Sequence, residues 1–379
     1  MPNRAFIVAA ARTLIAPKGG LHRKRELHEL AAPALQHAWS VVSRVRGQRR
    51  ASQRSHQPFL PDLVVLGNAL GAGGNVARLC SLAVFPQSVP AVTLDTQCCS
   101  GMDAIAMAAR AVASGDARVI LAGGVESFSR APQRFRLTDA GLQPYAQARF
   151  TPWADRDPDV IQAAQAFAEQ HRIHRIVQEQ FAIESHRKAL HTAFITGLTD
   201  PYTRRLDSRL CRRFAPLIAD SEYAITSATV APQADAAAVV AVVNETIAQQ
   251  FPWAIEIVHA VQVGCDPQSP ALGGVAAGKQ LLSEMAPKDR RNLRCIEVME
   301  SFAAQAIHTC NALELNSDQV NRRGGMLAMG HPIGASGAVL IGNLFLELQP
   351  QPVGSTGFAV IPAAGGQGSA LSLRRSGRI

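Results

Sequence analysis

The segment AVTLDTQCCSGMDAIAMAARAV (Ala91–Val112) places Cys98 between a short apolar run and a stretch in which apolar residues recur at helical spacing. This pattern predicts a strand, a tight turn and a helix, with a sulfur at the turn. The free amides and the positive dipole at the start of a helix favour a thiolate over a thiol. A thiolate there is a nucleophile that can form a covalent intermediate. For this stretch alone, a buried structural cysteine is the alternative.

A second segment combines a glycine-rich turn with a following helical pattern. It reads NRRGGMLAMGHPIGASG (Asn321–Gly337) and carries His331. The density of glycine around this histidine indicates backbone with positive φ, or very close approach of another segment. A cysteine and a histidine on two such turns fit a thiol paired with its base.

The two halves of the chain echo one another around these turns. A repeat on this scale indicates duplicated units, and alternating strands and helices predict an α/β fold with parallel sheets and helix crossovers. Packed pseudo-symmetrically, the halves would bring Cys98 and His331 to one cavity. The matched segments are ARVILAGG (Ala117–Gly124) with GFAVIPAAGG (Gly357–Gly366), and LVVLGNALG (Leu63–Gly71) with CIEVMESFA (Cys295–Ala303).

Several motifs, in order along nearly the whole chain, resemble those of the thiolase family within the thiolase and ketoacyl-synthase superfamily. The resemblance implies a five-layered α-β-α-β-α core of duplicated α/β halves. It also implies acyl transfer from coenzyme A through an acyl-cysteine, and a homodimer or homotetramer. The motifs are FIVAAARTLIAPKGG (Phe6–Gly20), DTQCCSGMDAI (Asp95–Ile105), LAGGVESFSRAP (Leu121–Pro132), QEQFAIESHRKA (Gln178–Ala189), AMGHPIGASGA (Ala328–Ala338) and GGQG (Gly365–Gly368).

On this resemblance the chain divides into an N-terminal half, residues 1–250, and a C-terminal half, residues 251–379. A loop domain is inserted in the first half at about residues 126–223. It begins with a turn-rich stretch, Pro132–Asp159, and continues with a helical pattern from about Val160 to Thr199. We expect it to cover the substrate and exclude water.

The resemblance also assigns roles. Cys98 is the expected nucleophile, and His331 holds and activates its sulfur. The backbone amides of Cys98 and Ala364 are the expected oxyanion donors. No metal-ligand spacing occurs, and no permanently bound cofactor is expected, because a coenzyme A thioester enters as substrate. The residues expected to line the acyl or pantetheine channel are Ser227, Ser301 and Phe302.

The chain departs from the family pattern at several motif positions. Pro362 stands where thiolases carry a second cysteine, which shuttles a proton of the attacking acetyl group. Met299 replaces the asparagine of an Asn-Glu-Ala-Phe motif and cannot donate a hydrogen bond. Asp95 stands where asparagine is usual, and Thr229 and Ala231 replace an Asn and a Ser. The changes at Pro362 and Met299 both fall on the carbon–carbon step, so acyl loading is expected to survive them.

Three hypotheses follow, in order of preference. The first is an acyltransferase that works without the usual proton shuttle and passes its acyl group to an acceptor needing no enolate base. The second is an ordinary thiolase in which Glu300, His308, Cys310 or Cys99 supplies the missing group. The third is a non-catalytic partner subunit that keeps the fold. Retention of both Cys98 and the complete His331 motif favours catalysis.

Composition bounds the class of protein. The chain has 379 residues, 47% apolar and 18% charged, which is typical of a well-packed globular enzyme. No apolar stretch reaches the ~18 residues that cross a membrane. An odd number of cysteines, seven, without metal or redox spacing indicates reduced thiols and a cytoplasmic protein.

Net charge is +9, and part of the excess lies in the arginine-rich stretch Ser43–His56. The stretch contains no aromatic residue for base stacking, so we interpret it as a solvent-exposed loop rather than a nucleic-acid or membrane site. A positive field would attract coenzyme A or an acidic acyl-carrier protein.

Overall fold

The computed structural model describes residues 4–50 and 59–377. Within these ranges the strands are β1 (Ala5–Arg12), β2 (Ala16–Pro17), β3 (Leu63–Gly67), β4 (Ala91–Leu94), β5 (Val119–Glu126), β6 (Arg134–Thr138), β7 (Gly141–Tyr145), β8 (Ala234–Asn244), β9 (Ala254–Gly264), β10 (Leu293–Val298), β11 (Thr356–Ala363) and β12 (Gln367–Ser376).

The α-helices in the same ranges are α1 (Leu27–Arg50), α2 (Val76–Leu82), α3 (Ser100–Ser114), α4 (Val160–Gln170), α5 (Arg175–Thr196), α6 (Ser208–Cys211), α7 (Glu245–Ala248), α8 (Leu272–Glu284), α9 (Pro287–Arg291), α10 (Ala303–Ala312), α11 (Met326–Met329) and α12 (Ile333–Leu348). Short 3₁₀ turns lie at Gln97–Cys99, Ala154–Arg156 and Ser317–Gln319.

The strand order demonstrates the duplication. The large sheet runs β10-β11-β12-β9-β1-β8-β5-β3-β4, and β1 meets β9 through a short antiparallel register at Ala5–Ile7. In the first half, the third, second, fourth, fifth and first strands in chain order lie side by side as β4-β3-β5-β8-β1. The second half repeats this order as β10-β11-β12-β9, with a parallel bridge from Ile296 to Val320 in the place of the third strand.

The sheets are mixed, which corrects the expectation of parallel sheets. β3 pairs in parallel with β4 and β5, and β10 pairs in parallel with β11. β8 and β12 run antiparallel to their neighbours. The physical reason is the connections, because β11 returns as β12 through a tight turn at residues 364–366, too short for the helical crossover that parallel strands require.

Five layers result, as the resemblance to the thiolase family implied. Helices α1 and α2 cover one face of the first-half sheet, and α8 covers the outer face of the second-half sheet. Helices α3 and α12 pack together between the first-half and second-half parts of the large sheet. Alternation along β5 shows the two faces, because Val119 and Leu121 join the outer core while Ile120 and Ala122 join the central core.

The two central helices cross closely because glycines face each other at the contact. A Cβ added to Gly101 would lie 2.9 Å from the Ala338 nitrogen, and one added to Gly337 would lie 2.5 Å from the Met102 nitrogen. Backbone-to-backbone approach of this kind excludes a side chain at either position. It brings the start of α3, next to Cys98, against the start of α12.

The segment predicted as an inserted loop domain contains the β6–β7 hairpin and helices α4, α5 and α6. The helical pattern expected from Val160 to Thr199 is interrupted, since α4 ends at Gln170 and α5 begins at Arg175. Asp159 caps α4 by accepting hydrogen bonds from the amides of Ile161 and Gln162.

The arginine-rich stretch also differs from expectation. Helix α1 continues through Ser43 to Arg50, so this part is helical and not a loop. Arginine and glutamine are good helix formers, and a polar composition alone does not distinguish a solvated helix from a loop. The remainder of the stretch, residues 51–56, lies outside the described residues.

Candidate active site

The turn that carries Cys98 is held by polar side chains of its own segment. Gln97, in the 3₁₀ turn between β4 and α3, adopts a positive φ of 54°. Asp95 Oδ1 accepts from the Gln97 amide at 2.9 Å and from Gln97 Nε2 at 3.0 Å. Ser100 Oγ donates to the Gln97 carbonyl at 2.6 Å and accepts from the Thr96 amide at 2.9 Å. These bonds stabilise a left-handed residue immediately before the nucleophile.

The turn that carries His331 is held mainly by backbone. Gly330, with a φ of 116°, separates α11 from His331, and α12 begins two residues later. The His331 amide donates to the Pro232 carbonyl at 2.8 Å, which ties the turn to the first half of the chain.

The two turns meet, and Cys98 Sγ lies 3.3 Å from His331 Nε2 across a sequence separation of 233 residues. On the other side of the ring, His331 Nδ1 lies 2.7 Å from Ser336 Oγ. The Ser336 hydroxyl donates its proton to the Pro332 carbonyl at 3.0 Å, so its oxygen must accept from Nδ1–H. This arrangement leaves a lone pair on Nε2 facing the sulfur, as a general base requires.

Burial sets the charge state of this pair. It raises the pKa of the Cys98 thiol to about 12, and the amides of Ala364 and Cys98 oppose that rise by hydrogen bonding. Burial also lowers the pKa of His331 to about 4. The resting pair is therefore a neutral thiol and a neutral imidazole. This corrects the expectation of a standing thiolate, because the cost of desolvating the charge exceeds the benefit from the helix start and the two amides.

A buried carboxylate connects the two halves beneath the pair. Glu126 Oε1 accepts from Asn68 Nδ2 at 2.8 Å and from the Leu70 amide at 3.3 Å. Its Oε2 accepts from the Ala69 amide at 3.0 Å and from the Gly334 amide, at the start of α12, at 2.9 Å. Burial raises the pKa of Glu126 to about 7, and its backbone N–H donors act in the opposite direction. Glu126 thus fixes the His331 helix to the first half.

Cys98 and His331 open into a cavity of about 440 Å³. One wall comes from the inserted segment, through Phe128, Phe150 and α4, and another from the second half at residues 268–271. The remaining surface is mostly apolar, which suits an acyl chain. Of the residues predicted from sequence, the cavity is lined by Cys98, His331, Ala364, Ser301 and Phe302.

Ser227 is placed elsewhere, since it is exposed and is not part of the cavity lining. The two positions at which a departure from the family pattern was expected to affect the carbon–carbon step also separate. Pro362 lines the cavity, whereas Met299 is fully buried in the central core. The position of Met299 therefore offers the substrate no polar group, and Pro362 offers only an apolar ring.

The groups considered as alternatives to a second catalytic cysteine are not among the residues that line the cavity. Glu300 is buried and accepts from Ser185 Oγ at 2.7 Å, Asn321 Nδ2 at 2.6 Å and the Leu327 amide at 3.2 Å. Burial raises its pKa. The substitutes that lie outside the lining are Glu300, His308, Cys310 and Cys99.

Two functional residues, Ser336 and Glu126, were not predicted from the sequence. Ser336 lies five residues after His331 in the motif AMGHPIGASGA, and Glu126 lies in the motif LAGGVESFSRAP. The spacing of Ser336 on the first turn of α12 could have indicated a partner for the histidine. Nothing local to Glu126 indicated that its partners come from two distant segments.

Comparison with known families decides the identity of this architecture. A family model described as "Thiolase, N-terminal domain" matches residues 5–194, and one described as "Thiolase, C-terminal domain" matches residues 251–375.

The chain belongs to the thiolase family. The resemblance found in the sequence is confirmed, and so is the thiolase fold. Membership makes the chain an enzyme, a thiolase-type acyltransferase.

Individual thiolase relatives cover the chain almost completely. A Staphylococcus aureus protein named "Putative acetyl-CoA C-acetyltransferase VraB" is 32% identical over 98% of this chain and 100% of its own length. The Bacillus subtilis protein named "Putative acetyl-CoA C-acetyltransferase YhfS" is 32% identical over 97% of this chain and 98% of its own. The crystal structure of the Bacillus anthracis acetyl-CoA acetyltransferase superposes with a TM-score of 0.84 at 27% identity, covering 98% of this chain and 99% of that one.

Residues 4–50 and 59–377 contain no group of three or more His, Cys, Asp or Glu side chains that could hold a metal ion. None of the helices in the described part of the chain is long and apolar enough to cross a bilayer.

Proposed function

We propose that this thiolase takes an acyl group from a coenzyme A thioester onto Cys98 and passes it to an acceptor without a second catalytic cysteine. The observation that carries the proposal is the contact of 3.3 Å between Cys98 Sγ and His331 Nε2 at a largely apolar cavity. A thiol with an oriented base beside an acyl-sized cavity is the arrangement that nucleophilic acyl transfer requires.

The loading step uses groups already described. Cys98 Sγ attacks the thioester carbonyl while its proton moves to His331 Nε2. The backbone amides of Cys98 and Ala364 both donate hydrogen bonds to the Cys98 sulfur. The same two amides would stabilise the oxyanion of the tetrahedral intermediate. Collapse breaks the bond to coenzyme A, whose thiolate takes the proton back from His331. An acyl-cysteine and free coenzyme A remain, and His331 is again neutral.

The second step is where this chain differs from an ordinary thiolase. Pro362 lines the cavity and has no titratable group, and Glu300, His308, Cys310 and Cys99 lie outside the lining. The described lining residues offer no base for an enolate besides His331, which serves the loading step, and Asp159, which caps α4. The acceptor therefore generates its nucleophile in another way. Decarboxylation of a carboxylated thioester does so, and an acceptor with its own nucleophilic heteroatom needs no enolate at all.

The test is the intact mass of the chain after exposure to a panel of acyl-CoAs, followed by an assay for thiolysis of a 3-ketoacyl-CoA. We expect one acyl group per chain in the wild type, none in Cys98→Ala, and thiolysis far below enzymatic rates. Rapid thiolysis would instead support an ordinary thiolase. Absence of labelling across the panel, with no measurable effect of Cys98→Ala, would support the non-catalytic alternative.

A further inference from the structure

One charged side chain stands out in the wall of the cavity. Arg134, at the start of β6, is the sole Lys or Arg among the lining residues in the described part of the chain. His331 also lines the cavity, but burial lowers its pKa and keeps it neutral. Any positive charge that the substrate meets within these walls therefore comes from Arg134.

The guanidinium is fixed but not neutralised. Arg134 Nη2 donates to the Ala69 carbonyl at 3.1 Å. Across the described ranges, no carboxylate lies within ion-pair distance of it. Among the described lining residues the one acidic side chain is Asp159, whose Oδ1 accepts from the first amides of α4 and which forms no ion pair with Arg134. Arg134 thus keeps a forked set of N–H donors without an anionic partner.

The anchor of Arg134 belongs to the catalytic framework. Ala69, whose carbonyl accepts from Arg134, donates its own amide to Glu126, and Glu126 accepts from Gly334 at the start of the His331 helix. The guanidinium is therefore held by the same short segment that positions the base. The fold therefore holds the Arg134 guanidinium in place, whereas a side chain on a free surface would move.

Much of the lining that shares this cavity with the half-buried Arg134 is apolar. Leu70, Phe128, Ala146 and Phe150 line the same cavity and supply no hydrogen-bond acceptor from their side chains. Beside an apolar surface the local dielectric is low, so a guanidinium attracts an anion more strongly than in bulk water, and this attraction offsets the water that both groups give up. The planar fork of arginine matches a carboxylate through two parallel hydrogen bonds.

We propose that Arg134 is a specificity-determining residue that binds a carboxylate at the far end of the acyl group. The preferred substrates are then coenzyme A thioesters of dicarboxylic acids rather than of unsubstituted fatty acids. This inference rests on the proposed function, since it concerns the group loaded onto Cys98. Coenzyme A itself carries anionic phosphates, so the test must distinguish the carboxylate from the carrier.

The experiment measures the rate of acyl-Cys98 formation by intact mass with matched pairs of thioesters. Succinyl-, glutaryl- and adipyl-CoA are compared with butyryl-, pentanoyl- and hexanoyl-CoA, so that each pair shares a carbon number and the same carrier. The proteins are the wild type, Arg134→Gln, Arg134→Lys and the control Arg136→Gln. Arg136 lies on the same hairpin and is exposed, with its guanidinium 5.0 Å from the Tyr145 ring centre.

We expect the wild type to load at least one dicarboxylic thioester faster than its matched partner. Arg134→Gln loses a charged hydrogen bond and should lower the ratio of dicarboxylic to neutral loading rates by about 10- to 100-fold. The loading rates of the neutral thioesters should change little. Arg134→Lys should retain part of the preference, and Arg136→Gln all of it. Melting temperatures of the variants verify that each is folded.

Two results would overturn the inference while the proposed function stands. One is equal loading within every pair by the wild type. The other is a uniform loss across both series in Arg134→Gln, which would assign the guanidinium to the phosphates of coenzyme A. Absence of loading with every thioester would contradict the proposed function itself.

Discussion

The Cys98 turn and the His331 turn occupy the same place in the two halves, yet they are built differently. The Cys98 turn contains a non-glycine residue, Gln97, with positive φ, and side chains of its own segment hold it there. The His331 turn uses Gly330 for its positive φ and a backbone bond to Pro232 in the other half. The two halves thus place two helix starts against each other, and each start is held by different contacts.

The difference shows that the two turns depend on different sets of contacts. The first turn is held in shape by side chains of its own segment and presents the sulfur. The second depends on partners across the molecule, namely Pro232, Glu126 and Cys98 itself. Substitutions in the His331 turn should therefore weaken the packing of the two halves against each other as well as the reaction at Cys98.

Replacing His331 should have the largest effect on rate. In His331→Asn the base is lost while a polar side chain remains, and acylation of Cys98 should slow by about 10²- to 10⁴-fold. Rapid-quench mass spectrometry with an acyl-CoA measures this, with Cys98→Ala as the unlabelled control. An unchanged rate would show that the sulfur does not need its partner from the second half.

Glu126→Gln tests the connection between the halves. The carboxylate accepts from four N–H donors, and an amide nitrogen in its place would face donors instead of accepting from them. Leaving buried donors unsatisfied should lower the free energy of unfolding by about 1–3 kcal/mol. Urea unfolding near pH 8, above the pKa of about 7, measures the loss for the ionised side chain.

The matched control for that experiment is Glu314→Gln, since Glu314 is exposed. It should change the free energy of unfolding by no more than ~0.5 kcal/mol. Equal stabilities of the Glu126 and Glu314 variants would mean that the carboxylate does not join the halves.

Ser336→Ala tests the orientation of the imidazole. Without the hydroxyl, Nδ1–H loses its acceptor and the ring is no longer confined to one tautomer. A hydrogen bond worth about 1 kcal/mol corresponds to roughly a fivefold slower acylation. Ser336→Thr restores the hydroxyl and should recover the rate, whereas failure of that rescue would point to packing and not to orientation.

The smallest effect should be that of pH. The reactive pair is neutral, and it remains so between the pKa of about 4 for His331 and that of about 12 for Cys98. The acylation rate should therefore change little between about pH 6 and pH 9, and should fall as protonation of His331 removes the base near pH 4. A rise centred near pH ~8.5, the ordinary cysteine pKa, would indicate a sulfur titrating freely in solvent.

The sequence was sufficient to predict both turns and their pairing. The strand, turn and helix around Cys98 have a residue spacing that can be recognised in the sequence. The glycines around His331 indicate close backbone approach. The strand order repeats in both halves as the matched segments suggested. Family motifs then supplied the five layers, which periodicity alone did not show.

Other features depend on what is distant in sequence. The charge state of Cys98 follows from burial by segments hundreds of residues apart, so a helix start alone predicted the wrong direction. Strand direction at β8 and β12 depends on how the chain returns, which composition does not encode. The exposed position of Ser227, and the place of Arg134 in the cavity wall, likewise appear only once the inserted segment is folded against the core.

The most direct test of the account compares two adjacent sulfurs. Cys98 contacts His331 and lines the cavity, whereas Cys99 is buried outside the lining with its sulfur 3.5 Å from the Ile361 carbonyl. After brief exposure to an acyl-CoA that loads the chain, the peptide spanning both residues is fragmented in a mass spectrometer. The account predicts the acyl group on Cys98 alone, and strongly reduced in His331→Asn. An acyl group on Cys99, or one on Cys98 that forms equally fast without the imidazole, would contradict it.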